Sequence, residues 1–504
     1  MKRSLSILLV FLFLISSSAY SKTISGEIVI KGDAPPGMKI KKKLKRSGLT
    51  VIKVPIGKEK EFVEKFKNKG YKANEILEAH IFGLKGEMID ISPDVSSMAA
   101  ATDPYYSYQW HFPMIQANEA WDINAGDGVI VAIIDSGLST GGADGINCVT
   151  NGWNTINESS NYYDGNGHGT HVAGTIAQNT NNGIGVAGLA HDSCIMPIKA
   201  LGDDGYGDFT DITEAIYYAV QNGAQVINMS LGTDSYMGIT NDPVMDAALD
   251  YAYANNVTVI CAAGNDGNPY NVSYPAIYTT TIAIGSIGYG FYRIDYTNEG
   301  IGLDFLAPGG DTNDRNYDGF IDGVLQETVE YGTWMYYFYY GTSMASPHVA
   351  AMAAMLISNG NALTPDDIYN NMVDSSMDLV DVGWDTISGW GLIQVADGLM
   401  LNNCTDNDGD GYSTCDSDCD DSNPNVYPGA PEICYDNIDN NCNGAIDEGC
   451  ACTDRDGDGY CVENGDCNDA PRLRGQYFHP GMDDINEPTW RNGADNDCNC
   501  IVDG

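Results

Sequence analysis

The chain has 504 residues and a formal net charge of −44, from 25 Lys and Arg against 69 Asp and Glu. It is long enough for two or three domains, and too acidic for nucleic acid to be a partner. The imbalance is local: residues 22–102 hold 16 basic against 10 acidic side chains, whereas residues 103–504 hold 7 against 59.

In chain order, Lys2 and Arg3 come first, then the apolar run Ile7 to Ile15, then Ala19-Tyr20-Ser21. A basic end, a short apolar core and small residues predict a secretory signal over 1–21 and a secreted, extracellular protein. The apolar core is too short for a membrane span, and no later segment reads as one. Residues 22–102 predict a small α/β domain. Val51 to Pro55 reads as a strand, Glu61 to Gly70 as an amphipathic helix with Phe62, Val63 and Phe66 on one face, and Ile76 to Leu84 as a second strand. The basic cluster Lys39 to Arg46 suits electrostatic steering onto an acidic partner. Ala99 to Thr102 reads as a processing region, with the mature start close to Asp103.

Over residues 103–402, apolar runs alternate with helical patterns. Val129–Ile134, Ile195–Ala200, Val226–Ser230, Val257–Ala263 and Thr281–Ser286 read as strands, and His171–Gln178 and Asp211–Asn222 as helices. This alternation predicts an α/β domain with a mostly parallel sheet flanked by helices. Residues 403–504 differ in kind, since they carry eleven of the 14 cysteines. Cys404-Thr405-Asp406-Asn407-Asp408-Gly409-Asp410-Gly411-Tyr412 recurs 48 residues later as Cys452-Thr453-Asp454-Arg455-Asp456-Gly457-Asp458-Gly459-Tyr460. Two repeats, 404–450 and 452–504, follow from this. They have too few large apolar residues for a core, so disulfides and ions must hold this loop-rich tail.

Four residues carry candidate chemistry. Ser343 lies in Gly341-Thr342-Ser343-Met344-Ala345-Ser346-Pro347-His348-Val349-Ala350, at a turn before a buried Ala/Met-rich helix. There a hydroxyl stands clear of the backbone, beside N–H groups able to hold negative charge. A serine needs a base to become a nucleophile. His168 sits in Gly165-Asn166-Gly167-His168-Gly169-Thr170-His171-Val172-Ala173-Gly174, Asp135 ends a buried strand at Asp135-Ser136-Gly137, and Asn265 follows Ala262-Ala263-Gly264. His171 and His348 read as structural, and Cys261 as a packed free thiol.

These motifs, in the order Asp, His, Ser, resemble those of the subtilisin-like serine peptidases (subtilases) over roughly residues 103–400, with an inhibitor-type propeptide ahead of them. The resemblance implies a serine endopeptidase acting on protein and peptide substrates. Asp135, His168 and Ser343 would be the catalytic triad and Asn265 the oxyanion donor. The propeptide would be an intramolecular inhibitor that the zymogen removes itself. Substrate would add as a strand between Ser230-Leu231-Gly232 and Gly205-Tyr206-Gly207. The first pocket would be lined by Ser230, Leu231, Gly232, Ala262, Ala263 and Gly264, roomy and apolar, with Asp266 at its rim available to a basic residue. A disulfide between Cys148 and Cys194, and a monomer, are also implied.

The resemblance further implies a calcium site built from Asp103, Asp144 and Asn182 with carbonyls of Asn179, Ile184 and Val186. The family's second site is poorly matched, because Asn154, Asn157, Ser159, Asn161 and Tyr163 stand where carboxylates dominate. Independently, the spacing of Asp314, Asn316, Asp318 and Asp322 around Gly319 predicts an EF-hand-like Ca²⁺ loop. Asp406, Asp408 and Asp410, and Asp454, Asp456 and Asp458, share that alternate spacing. A competing function is a catalytically silent binding or adhesion protein presenting an ion-binding tail. The intact set of Asp135, His168, Ser343 and Asn265 argues against silence.

Overall fold

The computed structural model describes residues 23–88, 101–360, 362–401 and parts of 408–446. The N-terminal domain consists of β1 (Thr23–Lys31), β2 (Lys39–Leu44), β3 (Leu49–Lys53), α1 (Glu59–Lys67) and β4 (Ala73–Ile81). Its strands are antiparallel in the order β4-β1-β3-β2. Alternation along the strands divides the apolar residues between two faces. One face packs Ile28, Ile30 and Ile52 with Val63 and Phe66 of α1. The other gathers Val29, Leu44, Leu49, Val51 and Ile76. A short strand, β5 (Leu84–Met88), follows.

The body opens with the short helices α2 (His111–Met114) and α3 (Ala117–Trp121). Next come β6 (Ile130–Asp135), β7 (Trp153–Asn154), α4 (His168–Ala177), β8 (Cys194–Lys199), β9 (Tyr206–Asp208), α5 (Phe209–Gln221), β10 (Val226–Met229), β11 (Leu231–Gly232) and α6 (Pro243–Ala254). The strands β12 (Thr258–Ala262), β13 (Thr281–Gly288), β14 (Tyr292–Arg293), β15 (Phe305–Pro308), β16 (Val324–Glu330) and β17 (Thr333–Tyr340) lead to α7 (Thr342–Ser358), α8 (Pro365–Ser375) and α9 (Val395–Met400). The central sheet runs β14-β13-β12-β10-β6-β8-β7, with β15 also on β13; every pairing except β13 with β14 is parallel. Strand β6 has β8 on one side and β10 on the other, so the winding reverses there. Open α/β sheets place their ligands at the C-terminal ends of strands beside such a switch point.

Two differences from the periodicity reading bear on the helix starts. Helix α4 begins at His168 rather than His171, so the histidine sits on the first turn. Helix α7 begins at Thr342 and carries Pro347 inside it. Proline has no N–H to give the carbonyl four residues back. That carbonyl belongs to Ser343, and it accepts instead from the Ser230 hydroxyl at 2.9 Å. A continuous apolar core joins β6, β8, β10, β12 and β13 to α4, α5, α6 and α7.

Cys148 and Cys194 are joined by a disulfide, and Cys261 is free and buried in β12. The chain divides into two compact units at Leu401/Asn402. Within the second unit Cys419 is bonded to Cys442, and Tyr412 stacks on Tyr427 at 5.2 Å. Among its described residues the buried apolar side chains are Val426 and Ala430 alone.

Candidate active site

Asp135 at the end of β6, His168 at the start of α4 and Ser343 in the first turn of α7 converge above the sheet, all buried. His168 Nδ1 lies 2.8 Å from Asp135 Oδ1 and 3.0 Å from Oδ2. The carboxylate is itself held by the Ser136 N–H at 2.6 Å. With Nδ1 donating to Asp135, Nε2 is the basic face of the ring, and it has no hydrogen-bond partner. Ser343 Oγ donates to the Ser230 carbonyl at 2.9 Å and accepts from the Phe82 N–H at 3.0 Å.

Asn265 is oriented by a neighbour that the sequence reading did not single out. Its Oδ1 accepts from both the N–H (3.0 Å) and the hydroxyl (2.9 Å) of Thr342. This turns its Nδ2 toward the carbonyl of Phe82, which accepts from it. Gly341 is at φ 142°, and a Cβ there would overlap the same carbonyl oxygen. Glycine therefore leaves room for an oxygen beside Ser343.

The cleft is filled by the chain's own β4. Glu78, Ala79 and His80 pair antiparallel with β9, opposite Asp208, Gly207 and Tyr206. On the other side His80 and Ile81 face Gly232 and Leu231 of β11. The Ile81 N–H donates to the Gly205 carbonyl at 3.2 Å, and that of Phe82 approaches the Ser230 carbonyl at 3.4 Å. Ser230, Leu231 and Gly232 thus form one wall and Gly205, Tyr206 and Gly207 the other. Ala262, Ala263 and Gly264 lie at the end of β12, with the Gly264 N–H on the Thr342 hydroxyl at 3.1 Å. Asp266 Oδ2 accepts from the Ser235 N–H and hydroxyl (2.9 and 2.8 Å) and from Asn298 (3.2 Å), neutral donors that fix the carboxylate in place without removing its charge.

His171 and His348 are structural. His171 Nε2 faces the Val324 and Tyr337 carbonyls at 3.0 and 3.1 Å, and its ring stacks on Tyr339. Burial pushes it down to about 3, and His348 to about 4.

Asp103, Asp144, Asn182 and Val186 meet in one network. Asp103 accepts from the N–H groups of Asn181 (2.8 Å), Asn182 (3.1 Å) and Gly183 (3.3 Å). Asp144 accepts from the Asn182 side chain and the Val186 N–H, both at 2.8 Å. Asn182 Oδ1 takes the Ile184 N–H at 2.6 Å, while Asn179 lies just before this loop, its Oδ1 2.6 Å from Asn147 Nδ2. Burial raises both carboxyls, that of Asp144 to about 7. Two buried carboxyls served only by amides fit a hard, oxygen-seeking cation. Glu327, absent from the sequence reading, adds nearby negative charge and accepts from the Ala143 N–H at 2.8 Å.

In the loop before β16, Asp318 is bonded to Asn316 (2.8 Å) and the Gly319 N–H reaches Asp314 (3.2 Å). Asp322 is buried, with Oδ2 on the Arg315 N–H at 2.7 Å and Oδ1 without a partner. An orphaned carboxylate oxygen inside an oxygen-lined turn also fits a cation.

In the second unit, ligand atoms of Asp408, Asp410 and Asp418 all lie within 4.8 Å of one another. The repeat spacing pointed to Asp408 and Asp410 but not to Asp418, although the acidic run Asp416 to Asp421 could have raised it. Asp406, Asp454, Asp456 and Asp458 lie outside the described residues.

The family model of the subtilases matches residues 126–391. A second model, of a metal-binding motif with copper in its name, matches residues 418–448. Thermitase from Thermoactinomyces vulgaris is 36% identical over 261 residues, covering 52% of this chain and 86% of that protein. The minor extracellular protease Epr of Bacillus subtilis is 34% identical over 305 residues, 60% of this chain and 44% of the relative. Among solved structures, fervidolysin from Fervidobacterium pennivorans matches with a TM-score of 0.63 at 24% identity. The match covers 75% of this chain and 61% of that one, a likeness of fold.

Proposed function

We propose, from the premise that this chain belongs to the subtilase family and is a serine endopeptidase, that Ser343, His168, Asp135 and Asn265 carry its chemistry in a self-processing, calcium-stabilised, secreted zymogen. The observation that carries this reading is the seating of Phe82, whose N–H lies on Ser343 Oγ and whose carbonyl lies on the Asn265 amide.

For the reaction, Ser343 rotates from the Ser230 carbonyl toward His168 Nε2, which takes the hydroxyl proton as Oγ attacks the peptide carbonyl. Asp135 keeps the imidazole in the Nδ1–H tautomer and stabilises the charged ring that forms. The Asn265 amide and the Ser343 N–H hold the developing oxyanion. His168 then gives its proton to the leaving amine, and water releases the acyl group by the same steps reversed. The walls at Gly205–Gly207 and Ser230–Gly232 bind the acyl side of a protein substrate as an added strand.

Residues 22–102 act as the inhibitor-type propeptide, because the stretch up to Phe82 occupies those walls itself. Their basic β2 docks on acidic α5. Lys42 Nζ lies 2.5 Å from Asp211, and the backbone N–H groups of Arg46 and Ser47 donate to Glu214 at 3.1 and 3.0 Å. Calcium would be held by Asp103, Asp144 and Asn182 with carbonyls of Asn179, Ile184 and Val186. Further ions would be held by Asp314, Asn316, Asp318 and Asp322, and in the tail by Asp408, Asp410 and Asp418. These ions tie loops together and offset carboxylate repulsion. Residues 1–21 serve as the export leader, in keeping with a relative named as extracellular.

The test is the Ser343→Ala chain. It should have no peptidase activity on casein and should keep its N-terminal domain covalently attached. Normal processing of a pure Ser343→Ala preparation would overturn the self-cleaving reading.

A further inference from the structure

We infer that the first bond this enzyme cuts is its own Phe82–Gly83 bond, with an aromatic side chain on the acyl side and a glycine on the leaving side as the recognised pair. The inference rests on the proposed roles of Ser343 and His168, and it moves the first cut well ahead of Asp103.

The chain passes through the site without a break, and its register is fixed on both sides of one bond. Before that bond, β4 lies between β9 and β11, the Phe82 N–H meets Ser343 Oγ at 3.0 Å, and the Phe82 carbonyl faces Asn265. A carbonyl that already accepts from the oxyanion donor is the one that attack polarises. After the bond, Leu84, Lys85 and Met88 of β5 pair with Tyr340, Tyr339 and Tyr337 of β17. The leaving segment is therefore held as a strand too. Lys85 adds an ion pair with Glu330 at 3.0 Å and a bond to the Asn166 carbonyl at 3.1 Å.

The residue types at the bond follow from space. A Cβ on Gly83 would overlap Nε2 and Cδ2 of His168, the ring that must protonate the leaving amine. A Cβ on Gly86 would overlap the Phe338 carbonyl of β17. Phe82 is buried, and its ring lies against Gly232, where a Cβ would come within 2.7 Å of the ring. The His80 ring covers it edge-on at 5.2 Å. Asp266 Oδ2 is held by Ser235 and Asn298, and the space beside Gly232 is filled by the Phe82 ring. The pocket is built for a flat apolar group.

The step balances without another reactant than water. The Ser343 Oγ–C bond to Phe82 forms, the C–N bond to Gly83 breaks, and the serine proton passes through His168 to the Gly83 amine. Water then yields a chain ending in the Phe82 carboxylate, and Ser343 regains its proton.

The experiment is a time course of the full chain refolded from denaturant, with the ends of each fragment read by mass spectrometry. It is paired with digestion of a synthetic peptide spanning residues 77–88 by the mature enzyme. The earliest pair of fragments should end in Phe82 and begin at Gly83, and the peptide should be cut between the same residues. Phe82→Tyr should keep the rate within about threefold. Phe82→Asp and Gly83→Val should slow this cut by about 100-fold or more. The same two substitutions in the peptide, which needs no folding, should lower kcat/KM by a similar factor. A first cut elsewhere, such as at residues 99–102 with Phe82–Gly83 intact, overturns this inference while leaving the Ser343 reading in place. Processing by the Ser343→Ala chain overturns that reading itself.

Discussion

The N-terminal domain and the body are held by different forces. The body closes on a continuous apolar core, in which α4 and α7 are buried along almost their whole length. The N-terminal domain has its own small cores. It meets the body through apolar contacts, with Ala79 in the body's core and Phe82 buried in the cleft. It also meets it through strand pairing and charge: β4 in the cleft, Lys42 on Asp211, Arg46 and Ser47 on Glu214, and Asn74 on Asp242. Arg46 also stacks over Tyr218 at 4.5 Å. Apolar burial is nondirectional and is not weakened by charge screening, so it suits a permanent structure. Strand pairing and ion pairs give register and can be undone by one cut and a change of conditions. If the N-terminal domain sits as an inhibitor and then leaves, as proposed, the second kind of contact supplies both the register and the means of release.

The comparison can be broken most sharply at Asn265. Asn265→Ala should lower kcat by roughly 10²–10³, a magnitude taken from the corresponding subtilisin asparagine. It should leave the N-terminal domain docked, because the flanking strands still hold β4. Steady-state kinetics of the mature enzyme and co-elution of the cut complex test both halves. If docking were lost with the amide, the oxyanion contact rather than the strands would hold the inhibitor.

Lys42→Glu should act in the opposite sense. It removes a largely buried cation and sets a carboxylate against Asp211, so the cleaved inhibitor should dissociate at least about tenfold faster. The kcat of the released enzyme should not change. Stopped-flow recovery of activity in the cut complex measures this. An equal effect on kcat would mean that the docking face and the reaction are not separate.

Asp144→Ala tests whether the body relies on its core alone. If Asp103, Asp144 and Asn182 hold calcium, a site near 100-fold saturation contributes about 2.7 kcal/mol, or roughly 5 °C in Tm. The variant should lose that stability in calcium and respond less than wild type to chelator, with kcat at 25 °C unchanged. Calorimetry with calcium and with chelator decides it. Identical responses of the two proteins would remove the ion from this site.

The smallest effect concerns pH. His348 Nδ1 donates to the Met344 carbonyl, its Nε2 accepts from His111, and burial holds it down at about 4. In the unfolded chain a histidine takes up a proton near pH 6.5. Between about 6.5 and 4 the unfolded state therefore binds the proton that the folded state refuses. The stability is complete above 6.5 and declines as pH falls, by about 1 kcal/mol at pH 5.5. His348→Gln should flatten the fall in Tm between pH 6.5 and 5.5. A wild-type slope in this variant would show that His348 does not contribute to it.

The sequence by itself determined which residues could do the chemistry. Asp135, His168, Asn265 and Ser343 stand in local contexts, a strand end, a Gly-rich loop and helix starts, whose meaning is set within about ten residues. The alternation of apolar runs with helical periods carried the parallel sheet in the same local way. Only the tertiary structure decided what those residues face. Thr342 turning the Asn265 amide, Ser230 answering the carbonyl left free by Pro347, Asp266 taken by Ser235, Asp418 joining Asp408 and Asp410, and Phe82–Gly83 lying on Ser343 are all contacts between distant segments. Periodicity reports which side of an element is apolar, and it is silent on which loop lies opposite. Register across a cleft is fixed by the packing of whole domains, so the bond placed at the nucleophile could be read only once β4 had been set between β9 and β11.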